Sequence, residues 1–527
     1  MATESQTLQP QILSARADGP SVLFVHPGDE NDRGEPACFH DLNLRAVVDA
    51  VVLADDPHGL RPLFHQTVDP DTIALRHEVF DDFDRLEGVR TAVEAFHRGM
   101  DEIAVLRERA LSCDNRLERM GWHLCVCRRY AETVQRFATD LSAADARSAA
   151  LRALSDHLER LVAGAGFTGL RLSLDEVTAA LGTVRYCVHI HKDTVGVRRY
   201  SDEPAISVET SAVLAPFTSG LAPIEFSYAG DARLNHVETQ ILDRVGRLFP
   251  DAFERLNRFT AQTADVIDPT VAAVDRELRF YTAYRAFLGR VAGPGLRFCY
   301  PGIVPDRGSA TWVDDAFDLA LALSRVDAPE TVGPVVCNGF RLDPPERAIV
   351  VSGPNQGGKT TFARMFGQVH HLAALGVPIP GSGAQLFAVD EVYTHFEREE
   401  DATSGHGKLA DELMRIHDVL DKVTDRSLVV MNESFTSTSL HDARLLGRTV
   451  LGRLVDAGVL CLYVTFVEEL SRLSPATVSM VSAVDPHDPA RRTFRVTRRP
   501  ADGRAYARAI AEKYALTRED VTRRARS

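Results

Sequence analysis

The sequence predicts a multidomain protein: an all-α region with a small β insertion, followed by an α/β domain built on a phosphate-binding loop. Three observations carry this. From about Asp71 to Ala163 the pattern is helical and poor in Gly and Pro. After the break Gly293-Pro294-Gly295, apolar strands alternate with helical stretches, which implies a parallel sheet flanked by helices. Between the apolar run Ala348-Ile349-Val350-Val351 and the helical pattern Thr361 to Leu375 lies a stretch with the spacing GxxxxGK[ST], a strand, glycine loop and helix in order.

Residues 1–40 form an N-terminal segment with one extended candidate, Ser21 to Val25. Residues 41–166 are helical: Leu42 to Leu53 reads as one helix, a Pro-rich link surrounds Pro57 and Pro62, and Leu75, Val79, Phe80, Phe83 and Leu86 share one face at the 3.6-residue period. Residues 167–235 change character. Tyr186, Val188 and Ile190 alternate with Cys187, His189 and His191, and Val195-Gly196-Val197 suits a hairpin return. Helical patterns resume over 236–291. The α/β domain occupies 292–500, and 501–527 read as a C-terminal helix pair.

At 527 residues the chain exceeds one ordinary domain, and its 45% apolar and 25% charged residues suit a soluble globular protein. No apolar run is long enough to span a membrane, the start Met1 to Pro10 is polar, and eight cysteines lack a framework spacing. A cytoplasmic location with reduced thiols and no membrane partner is therefore expected. The net charge of −14 argues against a chain that coats nucleic acid over its whole surface. From Arg491 to Ser527, however, twelve Arg/Lys face four Asp/Glu, a local excess of eight positive charges. That tail suits a phosphate backbone or an acidic neighbouring subunit.

The glycine loop carries the chemistry. Gly353, Pro354, Asn355, Gln356, Gly357, Gly358, Lys359, Thr360 and Thr361 are read as ATP-binding. Backbone N–H groups of such a loop point inward, and the helix N-terminus adds partial positive charge. Lys359 reaches the β- and γ-phosphates, and Thr360 ligates Mg²⁺. With five lysines in the chain, the spacing arises by chance in roughly a few per thousand such sequences. A second apolar strand, Ser427 to Met431, ends in Asn432-Glu433. Glu433 suits the general base that orients the attacking water, with Lys359 as its catalytic partner. Asn432 stands where a phosphate-loop ATPase usually has Asp; its amide oxygen can accept from a metal-bound water but carries no charge. A third strand, Val459 to Val464, runs into Thr465-Phe466.

Together these residues resemble the MutS family of DNA mismatch repair ATPases, whose loop is usually read GPNMGGKST. Val377-Pro378-Ile379-Pro380, Asp390 to Thr394, Ser404-Gly405, Asn432-Glu433, Thr438-Ser439, Asp442, and Thr465 with Glu469-Leu470 fall in family order. Pro334 to Asn338 is similar to the segment entering the ATPase domain, and Ala505 to Ala511 with Val521 to Arg526 to the C-terminal helix pair. Asp41 to Leu44, Leu60 to Leu63 and Ile73 to His77 resemble the start of the helical core.

The resemblance implies an ABC-type ATPase domain, a helical core and lever (41–166 and 236–291), and a reduced clamp-like insertion. It also implies a homodimer whose sites are completed in trans by Ser404, Gly405 and Lys408, and DNA as partner. It favours subunit docking for the basic tail. No mismatch-reading domain fits before residue 40, so branched or otherwise distorted DNA recognised by shape is expected rather than one mispair.

Three positions depart from the family: Gly407 for Ser, Asn432 for Asp, and Phe466 for His. Lys408 could supply in trans the charge that Gly407 and Asn432 lack. The competing reading of the same departures is a nucleotide-gated scaffold that hydrolyses little and recruits protein partners. Elsewhere, Cys187, His189 and His191 could be three metal ligands or simply a polar strand face. Cys125-x-Cys127 has the wrong spacing for zinc, and His370-His371 suits packing. Arg128-Arg129 and Arg198-Arg199 are candidate phosphate contacts.

Overall fold

In the computed structural model, residues 19–26, 34–191, 194–201, 234–293, 295–304, 308–330, 332–397, 407–485, 487 and 491–501 are described. The chain divides into two compact units. One comprises 85–147 and 151–275 with the N-terminal residues to Pro20; the other comprises 21–84, 148–150 and 276–527.

The first unit is built on a hairpin of two long helices, Glu87–Ser112 and Arg116–Ala143. Asn115 ends the turn between them as an N-cap, its side chain accepting from the N–H groups of Leu117 and Glu118. The buried positions Val89, Ala92, Val93, Phe96 and Ile103 recur at helical spacing, and Phe96 stacks on Phe137 with centroids 4.1 Å apart. Gly99 permits the close approach, since a Cβ there would lie 2.5 Å from the Thr133 side chain. Helices Ala165–Gly182, His236–Leu248 and Pro250–Gln262 also belong to the unit, with most of the helix Ala149–Ala163.

The expected hairpin is present: β1 (Tyr186–His191) pairs antiparallel with β2 (Thr194–Arg199), Val188 opposite Val197. The expected β insertion from 167 nevertheless begins as helix. Phe167, Leu174 and Val177 are buried at intervals of seven and three, one helical face, so the segment pays for its burial as a helix up to Gly182. Ser21 to Val25 is not a strand either; it forms bends, with Val22, Leu23 and Phe24 buried.

The second unit contains two small sheet elements and one large sheet. β3 (Phe298–Cys299) pairs with β8 (Ile379–Pro380). β4 (Gly302–Val304), β9 (Gly383–Phe387), β5 (Thr311–Ala316) and β6 (Asn338–Leu342) form a four-stranded sheet in that order. The large sheet runs β10 (Val392–Phe396), β11 (Leu428–Asn432), β12 (Leu460–Val464), β7 (Ala348–Ser352), β13 (Thr477–Val484), β14 (Arg492–Arg498). Its first five strands are parallel and β14 is antiparallel. β7, β11 and β12 are buried at every position, as a sheet covered on both faces requires. Ala348, Val350, Val429, Met431, Cys461 and Tyr463 form one face, packed with Ile416 of the helix Lys408–Lys422 and Val450, Leu451 and Leu454 of the helix Leu440–Asp456.

Residues 41–84 lie with the α/β domain, whereas the sequence places them with the helical core. The reason is packing at the helix Lys359–Ala374 that follows the glycine loop. Gln368 donates to the Leu42 carbonyl, His371 bonds the Phe64 carbonyl, and the Val68 N–H donates to Ala374. Arg76 anchors the same end. It is fully buried, with its guanidinium 5.1 Å from the ring centroids of both Phe24 and Phe280, and donates to the carbonyls of Leu23 and Leu375. No sequence pattern announces a buried arginine. Arg76→Ala leaves a cavity and two unpaired carbonyls, and is expected to cost about 3 kcal/mol or more. Chemical denaturation read by far-UV circular dichroism checks this; a change within about 0.5 kcal/mol, the range of surface substitutions, would contradict it.

Candidate functional site

The parallel strands β7, β11 and β12 all end at one sheet edge, where open α/β sheets bind their ligands. The Thr465 N–H donates to Val351 and the Glu433 N–H to Val464, so the three strand ends are knitted together. Gly353 to Gly358 leave the end of β7, and Lys359 and Thr360 open the helix. Gly353 (φ 117°) and Gly358 (φ 88°) take conformations that disfavour a side chain.

Ser482 on β13 braces the loop from behind: its hydroxyl donates to the Gly357 carbonyl at 2.5 Å, and a Cβ on Gly357 would lie 2.3 Å from that oxygen. Sequence reasoning missed Ser482, because nothing local marks it; only the β7–β13 pairing brings it under the loop.

The residues predicted from separate stretches converge. Lys359 is buried, and its ammonium donates to the carbonyls of Gly353 and Pro354 and to Asn355 Oδ1 at 3.1–3.3 Å. Glu433 Oε1 lies 3.8 Å from it. Burial lowers the Lys359 pKa, and the Glu433 carboxylate works against that shift. Thr360 Oγ1 donates to Asn432 Oδ1 at 3.2 Å. A hydroxyl and an amide oxygen side by side are hard oxygen donors of the kind Mg²⁺ prefers, although neither carries charge. This donor pair beside a glycine loop fits a Mg²⁺-nucleotide.

Other expected residues are placed differently. Ser404 and Gly405 lie outside the described residues, as do the two segments similar to the C-terminal helix pair. Gly407 is the N-cap of the helix Lys408–Lys422, and among the described residues nothing lies within 4 Å of where its Cβ would stand. Lys408 is held within the chain: its ammonium donates to Glu397 Oε1 at 2.6 Å, and this bond lowers the Glu397 pKa. Phe466 is half exposed at the end of β12.

Of the arginine candidates, Arg128 donates to Thr178, Arg129 pairs with Glu102, and Arg199 donates to the Leu248 carbonyl with its guanidinium 5.0 Å from the Phe249 ring centroid. His370 and His371 are buried packing residues, and the cysteines at 125, 127 and 187 are free thiols. The side chain of His191 is outside the described set. No cluster of three metal-ligating residues occurs, and no helix is long and apolar enough to cross a membrane, among the described residues.

Residues 349–525 match the family model of MutS domain V, and they include the whole loop, Thr360, Asn432 and Glu433. This stretch is similar to MutS domain V. Over 130 residues the chain is 31% identical to the DNA mismatch repair protein MutS of Psychrobacter cryohalolentis, covering 25% of this chain and 12% of that protein. It is 28% identical over 219 residues to the MutS protein of Shouchella clausii, 40% of this chain and 25% of the relative. It is 33% identical over 129 residues to the DNA mismatch repair protein MSH3 of Coccidioides immitis, 24% and 12% respectively. The matched stretches thus span a quarter or less of these relatives' lengths. The MutS relationship rests on the α/β domain, where the site lies.

Proposed function

We propose that the protein is a MutS-like ATPase that binds ATP-Mg²⁺ at Gly353 to Thr361 and uses its hydrolysis to act on mismatched, branched or otherwise distorted DNA as a homodimer, in DNA repair or recombination. The observation that carries the reading is the meeting of Thr360 with Asn432, and of Lys359 with Glu433, at one sheet edge. In this reading the loop's N–H groups and Lys359 hold the phosphates. Thr360 and Asn432 hold the metal, Asn432 through its water shell. Mg²⁺ held by Thr360 and Asn432 would supply positive charge against the charge that develops on the phosphates. Glu433 orients a water and takes its proton. The DNA part rests on what the relatives are named for, and the dimer on the family resemblance.

The decisive experiment measures ATP turnover and binding of the purified protein against plain, mismatched, single-stranded and branched DNA at several salt concentrations. Stimulation by one distorted structure is expected; no binding and no stimulation by any of them would remove DNA.

The neutral Asn432 favours a second reading, a nucleotide-gated scaffold with little hydrolysis. Asn432→Asp tests the metal argument: placing a charge beside Thr360 should lower the Mg²⁺ concentration for half-maximal turnover several-fold. An unchanged Mg²⁺ titration would show that Asn432 does not serve the metal.

A further inference from the structure

The loop after β11 carries Glu433 in an unusual backbone. Glu433 (φ 54°) and Phe435 (φ 64°) are both left-handed without being glycine. That region costs a side-chain-bearing residue about 1–2 kcal/mol, so it persists only where neighbours impose it. Three contacts do so. His395 Nδ1 and Ser434 Oγ are 2.8 Å apart. Thr436 Oγ1 donates to Glu397 Oε1 at 3.1 Å. The Phe435 N–H donates to Glu412 Oε2, also at 3.1 Å. The Phe435 ring itself is fully buried in the core formed with Ile416, Met431 and Tyr463.

Glu412 stands out among these partners. It comes from the helix Lys408–Lys422 and is 1% exposed, and its Oε1 is buried with no hydrogen-bond partner among the described residues. Burial raises its pKa, against the Phe435 N–H and the charges of Lys408 and Arg415. A buried carboxyl satisfied on one oxygen is costly to the fold. Its bond is to the backbone two residues beyond Glu433.

We infer that Glu412 is a positioning residue for Glu433, acting through the Phe435 N–H to hold the left-handed loop that aims the general base. The inference rests on the ATPase reading. It also ties two regions together. Lys408 and Glu412 stand four apart on one helix, so the helix start that the family resemblance assigns to the partner's nucleotide is rigidly joined to the anchor of this chain's own base.

Glu412→Gln keeps an acceptor at the same reach, whereas Glu412→Asp keeps the charge and withdraws the acceptor by one methylene. ATP turnover and nucleotide affinity are measured for both, beside the unchanged protein and Glu433→Gln. The Asp variant should lose about 10- to 100-fold in kcat, the scale of an ångström-sized misplacement, with nucleotide affinity held within about threefold. The Gln variant should keep kcat within about threefold of the unchanged protein. Full kcat in the Asp variant, or equal losses in both, overturns the positioning role. If Glu433→Gln is impaired and Glu412→Asp is not, this inference alone falls. If Glu433→Gln turns over as fast as the unchanged protein, the ATPase reading falls and takes the inference with it.

Discussion

Glu433→Gln is expected to lower ATP turnover about 10²- to 10⁴-fold, the usual contribution of a positioned general base, while nucleotide binding survives. The carboxylate stands at the end of β11, 3.8 Å from the Lys359 ammonium and partly open to solvent. A glutamine of the same length keeps the contact to Lys359 but cannot accept a proton at neutral pH. The loop, Thr360 and Asn432 are untouched, so affinity for a nucleotide should shift little. Lys359→Ala serves as the contrast. It removes the charge that the proposed function assigns to the phosphates and also strips three hydrogen bonds from the loop, so it should lose binding as well as turnover. Filter binding beside a phosphate-release assay separates the two. Equal turnover in Glu433→Gln and the unchanged protein would favour the scaffold.

The α/β unit is expected to lose stability steeply as pH falls below about 6.5. His370, His371 and His395 are each almost fully buried, and burial lowers each pKa from 6.5 to about 4. His370 bonds the Phe366 carbonyl and His371 the Phe64 carbonyl, contacts a neutral ring can make with one N–H. In the unfolded chain these groups take up protons near pH 6.5; in the folded chain they do not until about pH 4. The unfolded state therefore binds more protons throughout that window, and stability falls with pH. Each histidine contributes a slope approaching 1.4 kcal/mol per pH unit, about 4 kcal/mol per unit for the three, against a typical total of about 5–15 kcal/mol.

The carboxyls of Glu412 and Asp318, raised by burial, act in the opposite direction. Melting temperatures by circular dichroism between pH 7.5 and 5 check the sum, and His370→Gln should remove about a third of the slope that these three histidines contribute. A flat profile would contradict the burial of these rings.

Much of the α/β domain is legible because its signals are local. The glycine loop, the strand ending in Asn432-Glu433 and the strand from Leu460 to Val464 are short contiguous patterns, and each lies within a residue or two of its predicted place. The hairpin at 186–199 was readable from its alternation for the same reason. The region 167–182 was not, because glycine and apolar residues over so short a span suit either period, and packing on the helices around it decided for helix. Residues 41–84 carry a strong helical pattern, but periodicity says nothing about which unit a helix face will meet.

By itself the sequence determined that a glycine loop of phosphate-binding spacing lies between a strand and a helix, since that pattern is written in eight consecutive positions. The tertiary structure decided what surrounds them. It set Ser482 behind the loop, Asn432 against Thr360, Lys408 onto Glu397, and Glu412 beneath the loop of Glu433. Each of these partners is eleven or more residues from the group it meets. Such pairs form because strand order and helix packing bring distant backbone together, and no local propensity encodes that meeting.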